Sequence, residues 1–243
     1  MIVKFIFRAF LGLVLNGIPW LCSYGQSQTS ITETQVWPEV DARVQLPKSF
    51  RVLSFAGLQQ AAGYAYHQVY AAAALGYQFK TILKPHVVNI DPDKEHHWVF
   101  GCGYWYLHTT QSGKTKNENR LDCDVNFNYR PSSRFLLLDR SRGESRWVNG
   151  VYSTTYRNRF SVERDFLTHG LRFSPYGAVE VFYDGSKQSW TQQWYTGGVQ
   201  WPYKRLLMVN TYYVREICDT CTPMNWNSAG VTLNCFIRRK SKY

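Results

Sequence analysis

Beyond its first 25 residues the sequence has no run that approaches the ~20 consecutive apolar residues of a transmembrane helix, which excludes a helical membrane protein. Charged residues make up only 19% of the chain, whereas aromatic residues make up 16%. This aromatic content excludes a disordered chain, because disordered segments have few large apolar side chains. The 243 residues allow one large domain or two small ones. No repeat, low-complexity linker or change in composition marks a boundary between domains.

Catalytic spacings are also missing. An outer-membrane hydrolase needs a nucleophile or an activated water with a histidine close by. No histidine follows an aspartate by two positions, and no His-x-Ser spacing occurs. We therefore expect a protein that is not an enzyme and uses no cofactor or metal, and an outer-membrane hydrolase is the less favoured alternative. Although the net charge is +11, the arginines are spread along the chain rather than gathered in one stretch, so no nucleic-acid partner is expected.

The N-terminus has the pattern of a secretory signal peptide. Lys4 and Arg8 flank the apolar run 10–15, and Ser23 and Gly25 are small residues before a cleavage site at Gln26. We therefore predict that residues 1–25 are a signal peptide and that the mature protein is exported. Residues 26–34 would form a short N-terminal segment.

Apolar and polar residues alternate with a period of two along much of the chain, which predicts strands with one face of each kind. Between Gln35 and Leu46 the even positions are apolar and the odd positions are mostly polar. Between Glu118 and Arg130 seven polar side chains share one face, too many for the core of a β-sandwich. Further segments with strand character are 50–60, 66–79, 96–108, 134–146, 156–166, 174–183, 189–200, 205–215 and 226–237.

Eleven such strands would place more than half of the mature chain in β-structure, which is high for an ordinary globular protein. The same proportion is typical of a transmembrane β-barrel, whose strands need ~9–11 residues and alternate apolar-out with polar-in. The sequence therefore predicts an all-β, antiparallel, transmembrane up-and-down barrel over residues 35–237. Since bacterial barrels have even strand numbers, we expect about 12 strands, with about 10 as the fallback. A missed strand is expected within residues 80–97, and residues 238–243 form a basic C-terminal tail.

The polar faces of neighbouring strands would form a charged ladder in the lumen. Arginines and glutamates occupy alternate positions, and so share one face, along 140–146 and again along 157–163. Each arginine would then have a carboxylate within reach across a strand pair. The candidate lumen and solute-binding residues are Glu118, Arg120, Arg140, Arg142, Glu144, Arg146, Arg157, Arg159 and Glu180.

Several short pieces occur in a distinctive order. They are Trp37-Pro38-Glu39, Glu118-Asn119-Arg120, the alternating run Arg140 to Arg146, Tyr156-Arg157-Asn158-Arg159, and Pro175-Tyr176 followed by Glu180 and Phe182. With these pieces the sequence resembles the bacterial domain-of-unknown-function 2490 family over about residues 35–237. The resemblance implies an outer-membrane β-barrel without an assigned activity. Outer-membrane lipid and the barrel-insertion machinery are the partners expected of such a protein.

Two roles remain open for this lumen. It could guide small anionic solutes, as arginine-lined pores do, and the positive charge of the chain suggests a modest anion preference. Alternatively, the ladder could be an internally neutralised network that plugs a narrow barrel, which would make the protein a structural or binding component. A soluble, exported ligand-binding barrel of lipocalin type is the alternative from another class, and its interior would be apolar.

The tryptophans and cysteines are ambiguous. Interfacial girdles would use Trp98, Trp105, Trp147, Trp190, Trp194, Trp201 and Trp226, although a sugar-stacking platform is an alternative. Cys218 and Cys221 form a CxxC pair, a candidate disulfide, which without a second pair is weak evidence for metal. Cys102 and Cys123 could face each other across a hairpin, but free thiols among lipid-facing residues are the favoured interpretation.

Overall fold

A computed structural model describes residues 32–61, 65–79, 83, 88, 90–221 and 224–238. These residues form a sheet of twelve strands. The strands are β1 Thr32–Gln45, β2 Phe50–Ala61, β3 Tyr66–Gln78, β4 Trp98–Gln111, β5 Lys114–Ser132, β6 Phe135–Val148, β7 Val151–Arg164, β8 Phe166–Thr168, β9 Leu171–Asp184, β10 Ser189–Tyr203, β11 Leu207–Cys218 and β12 Asn225–Arg238. Within this part of the chain no helix has the length and apolar character to cross a bilayer.

The sheet closes on itself as a barrel. Each long strand pairs with the next one in an antiparallel meander, and β7 pairs directly with β9 because β8 is only a three-residue extension against β9. Closure comes from β1 and β12, which run parallel from Thr32 beside Asn225 to Gln45 beside Arg238. The barrel wall therefore has eleven long strands, and an odd number of meandering strands makes the first and last strand parallel.

The structure confirms the predicted all-β barrel. Each of the eleven segments with strand character corresponds to one long strand, with ends that differ by up to about five residues. The twelfth strand is not where we expected it. The described residues of 80–97 contain the 3-10 turn Pro92–Glu95, and the extra strand is β8 instead. Proline, charge and paired aspartates in this segment favour a turn over a ladder.

The alternation of the wall is polar-in and apolar-out. On β5 the side chains of Asp124 and Asn126 face the interior, whereas Val125 between them is 41% exposed on the outside. On β1 the predicted polar phase from Gln35 to Arg43 lines the interior. A lipocalin-type barrel would place Val125 inside, so the facing of the wall contradicts that alternative.

The turns define two ends. Among the described residues, we call the plugged end the one that carries 46–49, 79, 90–97, 133–134, 165–170 and 204–206, and the open end the one that carries 65, 112–113, 149–150, 185–188, 219–221 and 224. Tight hairpins at the open end have positive φ angles in Ser112-Gly113 and Asn149-Gly150, as two-residue turns of type I′ require.

Four of the cysteines are joined in pairs. Cys102 and Cys123 lie directly opposite each other on β4 and β5 and form a disulfide, so they are not the free thiols that we favoured. Cys218, the last residue of β11, forms a second disulfide with Cys221. Cys235 is a free thiol on β12. No cluster of histidine, cysteine and carboxylate side chains suited to a metal ion occurs among the described residues.

Candidate functional site

The barrel encloses one large cavity of about 1280 Å³ that extends from the plugged end to the turns of the open end. Its lining includes all nine of the lumen residues proposed from sequence: Glu118, Arg120, Arg140, Arg142, Glu144, Arg146, Arg157, Arg159 and Glu180. These side chains come from four consecutive wall strands, β5, β6, β7 and β9. Their common inward phase follows from the period of two in a strand.

The arginines of this set, which we call the arginine ladder, are Arg120, Arg140, Arg142, Arg146, Arg157 and Arg159. Like charges stand directly opposite each other across the strand pairs, as Arg142 does opposite Arg157. Such pairs are destabilising unless diagonal neighbours compensate them. Here the diagonal neighbours are carboxylates. Glu118, for example, bonds Arg146, its diagonal neighbour on β6, at 2.7 Å, and also Arg120, two residues along its own strand, at 2.8 Å.

The most uneven balance of charge is at Glu180 on β9. Arg140 and Arg157 both bond its Oε1 at 2.9 Å, and Arg159 lies 3.9 Å from its Oε2. The Glu180 side chain is only 2% exposed. Three guanidinium groups thus share one buried carboxylate, and even after Glu144 takes part of the charge of Arg157 at 2.9 Å, positive charge remains in excess here.

Two of these three arginines remain accessible from the cavity. Arg140 and Arg159 are directly opposite each other on β6 and β7, with side chains 24% and 27% exposed. Arg157, at 10%, is held between Glu144 and Glu180 and also lies 4.4 Å from the ring centre of Phe182. The geometry therefore provides a pair of adjacent guanidinium groups that a small anion could reach.

The wall across the cavity is aromatic. Trp37 packs against Trp194 with ring centres 5.5 Å apart, and Phe55 stacks on Trp105 at 5.1 Å. The tryptophans predicted to form interfacial girdles fall into two groups, one on the outer surface and one in the cavity. Trp98, Trp147, Trp190 and Trp201 are exposed on the outer surface, whereas Trp105, Trp194 and Trp226 line the cavity and were wrongly assigned to a girdle.

Three tyrosines lie flat against this wall because each is paired with a glycine. The directly opposed pairs are Tyr70 with Gly57, Tyr176 with Gly198, and Tyr212 with Gly230. A Cβ atom at any of these glycines would overlap the tyrosine ring. Because glycine has no side chain, the tyrosine rings can lie against the backbone of the neighbouring strand and leave the centre of the barrel free.

At one end the cavity is crossed by a segment that the sequence pattern did not reveal. The 3-10 turn Pro92–Glu95 lies inside the barrel and contacts strands on opposite sides of it. On one side Asp91 pairs with Arg43 of β1, and Asp93 pairs with Arg51 of β2. We call residues 91–95 the lumenal plug.

On the other side Lys94 anchors the plug. Its Nζ donates to both oxygens of Glu163 on β7 at 2.6 Å and to Gln200 on β10 at 2.9 Å. Lys94 is buried, with 7% exposure. The side-chain amide of Asn128 on β5 donates to the carbonyls of Asp93 and His96 at 2.9 and 2.8 Å. The plug is therefore tied across the full width of the barrel.

The charge of the plug is matched to its surroundings. Burial opposes ionisation of Asp91, but the positive charges of Arg43, Lys94 and Arg51 outweigh it and hold the pKa of this carboxyl below its usual value. Among the described residues that line the cavity, acidic and basic side chains are equal in number. The positive charge of the chain is thus not stored in the lumen, in contrast to what we expected, and any anion preference rests on the local excess at Glu180.

The profile of a family described as a protein of unknown function, DUF2490, matches residues 34–227, which is most of the barrel. The chain belongs to the DUF2490 family. No curated protein matches this DUF2490 member. Among solved structures, its fold is similar to that of the KdgM porin in complex with disordered oligogalacturonate, with 10% sequence identity, 73% of this chain and 81% of that chain covered, and a TM-score of 0.39.

Some of the lining residues that we did not predict had a signal in the sequence, and others had none. Trp37, Glu39 and Arg43 belong to the polar phase of β1 that alternation identified, and the same argument that placed the arginine ladder inside would have placed them there. The plug had no such signal, because Asp91, Asp93 and Lys94 lie in a connection where no period sets the direction of a side chain.

Proposed function

We propose that this DUF2490 protein is a non-enzymatic bacterial outer-membrane barrel that admits small anionic solutes into its charged lumen from the open end, while the lumenal plug restricts their passage at the other end. The observation that carries the solute class is the cluster at Glu180, where Arg140 and Arg159 share a carboxylate that Arg157 already neutralises. An anion bound there would contact two guanidinium groups without competing for Arg157.

The placement in a membrane is supported by the outer surface. Exposed aromatic side chains gather towards the plugged end in one belt, Phe50, Phe79, Trp98, Tyr129, Phe135, Trp201 and Tyr203, and towards the open end in another, Tyr106, Trp147, Tyr152, Trp190, Tyr195 and Tyr213. Between the belts the exposed residues are aliphatic or aromatic: Val40, Leu75, Leu121, Val125, Val179 and Val231, together with Tyr104, Tyr156 and Phe160. An apolar band between two aromatic belts is the pattern of a barrel in a bilayer.

Strand length agrees with this placement. β1, β4, β6, β7, β9 and β12 each contain 14 residues. Fourteen residues rise about 46 Å along a strand, which at a tilt near 45° covers about 33 Å of membrane thickness and exceeds the apolar band of about 25 Å. We propose that residues 1–25 direct export to this membrane as a signal peptide and that the barrel-insertion machinery inserts the chain.

The test is the ion selectivity of the barrel in planar bilayers, measured as the reversal potential in a salt gradient. We expect the double variant Arg140→Gln/Arg159→Gln to shift the reversal potential towards cation preference. Glu180 stays paired with Arg157 in this variant, so no buried carboxylate is left alone. Arg134→Gln/Arg172→Gln removes the same charge from exposed residues at the plugged end, outside the cavity, and should leave the selectivity unchanged.

Two results would contradict the proposal. An unchanged reversal potential in the lumen variant would show that Arg140 and Arg159 do not select the permeating ion. A protein that stays monodisperse and soluble without detergent would contradict the membrane placement itself. If the wild-type barrel inserts but conducts nothing, the second candidate, a closed binding or structural component, is favoured, because the plug is tied to both sides of the wall.

A further inference from the structure

The exposed charges differ sharply between the two ends of the barrel. At the plugged end six exposed basic residues belong to the turns or adjoin them: Lys48, Arg134, Arg164, Arg172, Lys204 and Arg205. We call this set the basic rim. At the open end, three basic residues, Lys114, Lys116 and Lys187, are offset by three acidic ones, Glu33, Asp184 and Asp219. Fewer acidic residues face the basic rim, since Asp91 and Asp165 are buried, Glu95 is half-buried, and the half-buried Asp139 on β6 accepts a hydrogen bond from Asn158.

The basic rim is not part of the ion-pair networks described above. Within the described residues, none of its six side chains forms a salt bridge, whereas Lys187 at the open end is 3.9 Å from Asp184. Uncompensated positive charge gathered at one end repels itself and has a cost unless a negative partner faces it.

The rim cations lie at the level of the aromatic belt. The guanidinium of Arg164 stands over the rings of Phe135 and Phe166, at 5.1 and 4.7 Å from their centres, and Lys204 stands 5.3 Å from the ring centre of Tyr203. In membrane barrels aromatic belts mark the interface between hydrocarbon and headgroups. These cations are therefore held at the depth where lipid phosphates lie.

The cations also surround the barrel instead of forming one patch. They come from the turns after β1, β5, β7 and β10, which are spread around the circumference. A nucleic acid or an acidic peptide would need its cations on one face or along one stripe. A shell of lipids contacts the whole circumference at once, so this arrangement fits lipids better than a single macromolecular ligand.

We propose that the basic rim binds the phosphate groups of anionic lipids in the membrane leaflet at the plugged end. This inference rests on the proposed membrane placement, but it is independent of what passes through the lumen. Each basic side chain near a charged membrane surface attracts anionic headgroups over about a Debye length, so the attraction should weaken as salt is added.

The experiment compares lipid association in vesicles of phosphatidylcholine and phosphatidylglycerol in equal parts. Spin-labelled phosphatidylglycerol and spin-labelled phosphatidylcholine are used as probes, and electron paramagnetic resonance measures the fraction of each whose motion the protein restricts. We expect the wild-type barrel to prefer the anionic probe by roughly two-fold or more at low salt. Arg134→Gln/Arg172→Gln/Arg205→Gln should bring this ratio close to one. Arg164 is kept, because its stacking on Phe135 and Phe166 contributes to packing.

The matched control is Lys114→Gln/Lys116→Gln/Lys187→Gln, which removes the same charge from the open end and should retain most of the preference. Equal loss in both triple variants would overturn the proposal, since net charge alone would then explain it. A wild-type barrel that restricts the anionic and the zwitterionic probe equally, a ratio of one, would overturn the proposal as well. If the protein does not insert into vesicles, both this proposal and the membrane placement fail, whereas inserted protein without anion selectivity contradicts only the proposed lumen function.

Discussion

Replacement of the plug anchor, Lys94→Met, should open the barrel. In the native protein the ammonium of Lys94 bonds both oxygens of Glu163 at 2.6 Å, and both side chains are less than 10% exposed. The removal of one partner of a buried ion pair costs about 3–5 kcal/mol, because the other charge remains buried without compensation. Release of the plug allows lumenal water to solvate Glu163, so this cost falls on the seated state and favours release.

The size of the effect follows from the lower bound of that cost. Since 1.4 kcal/mol changes an equilibrium constant about tenfold, a loss of about 3 kcal/mol raises the ratio of released to seated plug by roughly 10². Single-channel recording in planar bilayers measures this ratio as open time divided by closed time. The ratio should therefore increase by about two orders of magnitude in Lys94→Met.

Two controls make the interpretation specific. Lys116→Met removes another lysine that lines the cavity, without a contact to the plug, and should leave the open time unchanged. Lys94→Met/Glu163→Met replaces both charges with apolar side chains of similar length, and the ratio should return towards the wild-type value, because a buried pair can be exchanged for apolar residues at little cost. An inserted Lys94→Met protein with wild-type open time would refute the plug, as would a wild-type barrel that is open most of the time.

Three further predictions concern acid, oxidation and packing. Because the pKa of Asp91 is lowered, its carboxylate stabilises the seated plug at every pH above its unfolded pKa near 4, and this stabilisation is lost only as the pH falls through the lower folded pKa. The open time at pH 5 should therefore equal that at pH 7 and rise below about pH 4. Asp91→Asn should raise the open time already at pH 7, and an increase of the wild-type open time between pH 7 and 5 would contradict this assignment. Cys102→Ser/Cys123→Ser should lower the free energy of unfolding by about 2–4 kcal/mol in denaturant titrations, whereas Cys235→Ser should leave it nearly unchanged. Gly230→Ala should destabilise the barrel by about 1–3 kcal/mol, because its methyl group displaces the Tyr212 ring, and Gly143→Ala, where the new atom meets nothing, is the matched control.

The barrel wall could be predicted from the sequence because one simple rule governs it. Along β5 the polar side chains from Glu118 to Arg130 repeat every second residue, and a strand must place such a series on a single face. The same rule placed all nine of the proposed lumen residues on the cavity wall. The direction of the side chains, into the lumen or outward, could therefore be predicted wherever polar residues recur at every second position without interruption.

The alternation of polar and apolar residues could not predict how the strands pair or what the turns contact. The parallel β1–β12 seam depends on the total number of strands, and the three-residue strand β8 is too short to show a period. The ion pairs of the plug join residues far apart in sequence, such as Lys94 with Glu163, so no local pattern reveals them. The girdle assignment of Trp105 and Trp194 was wrong for a different reason. An indole ring suits both a bilayer interface and an aromatic lumen wall, and the polar and apolar residues of β4 and β10 alternate too poorly to choose between them.

The odd number of long strands determines the sidedness of the molecule. In a meander with an even number of strands the chain enters and leaves the barrel on the same side of a membrane. Here Thr32 begins β1 at the open end and Arg238 ends β12 at the plugged end, so the two lie in different compartments once the barrel is inserted. A membrane-impermeant reagent applied to intact cells would thus reach a marker at only one of these positions, and the marker that reacts would identify which end of the barrel faces the exterior.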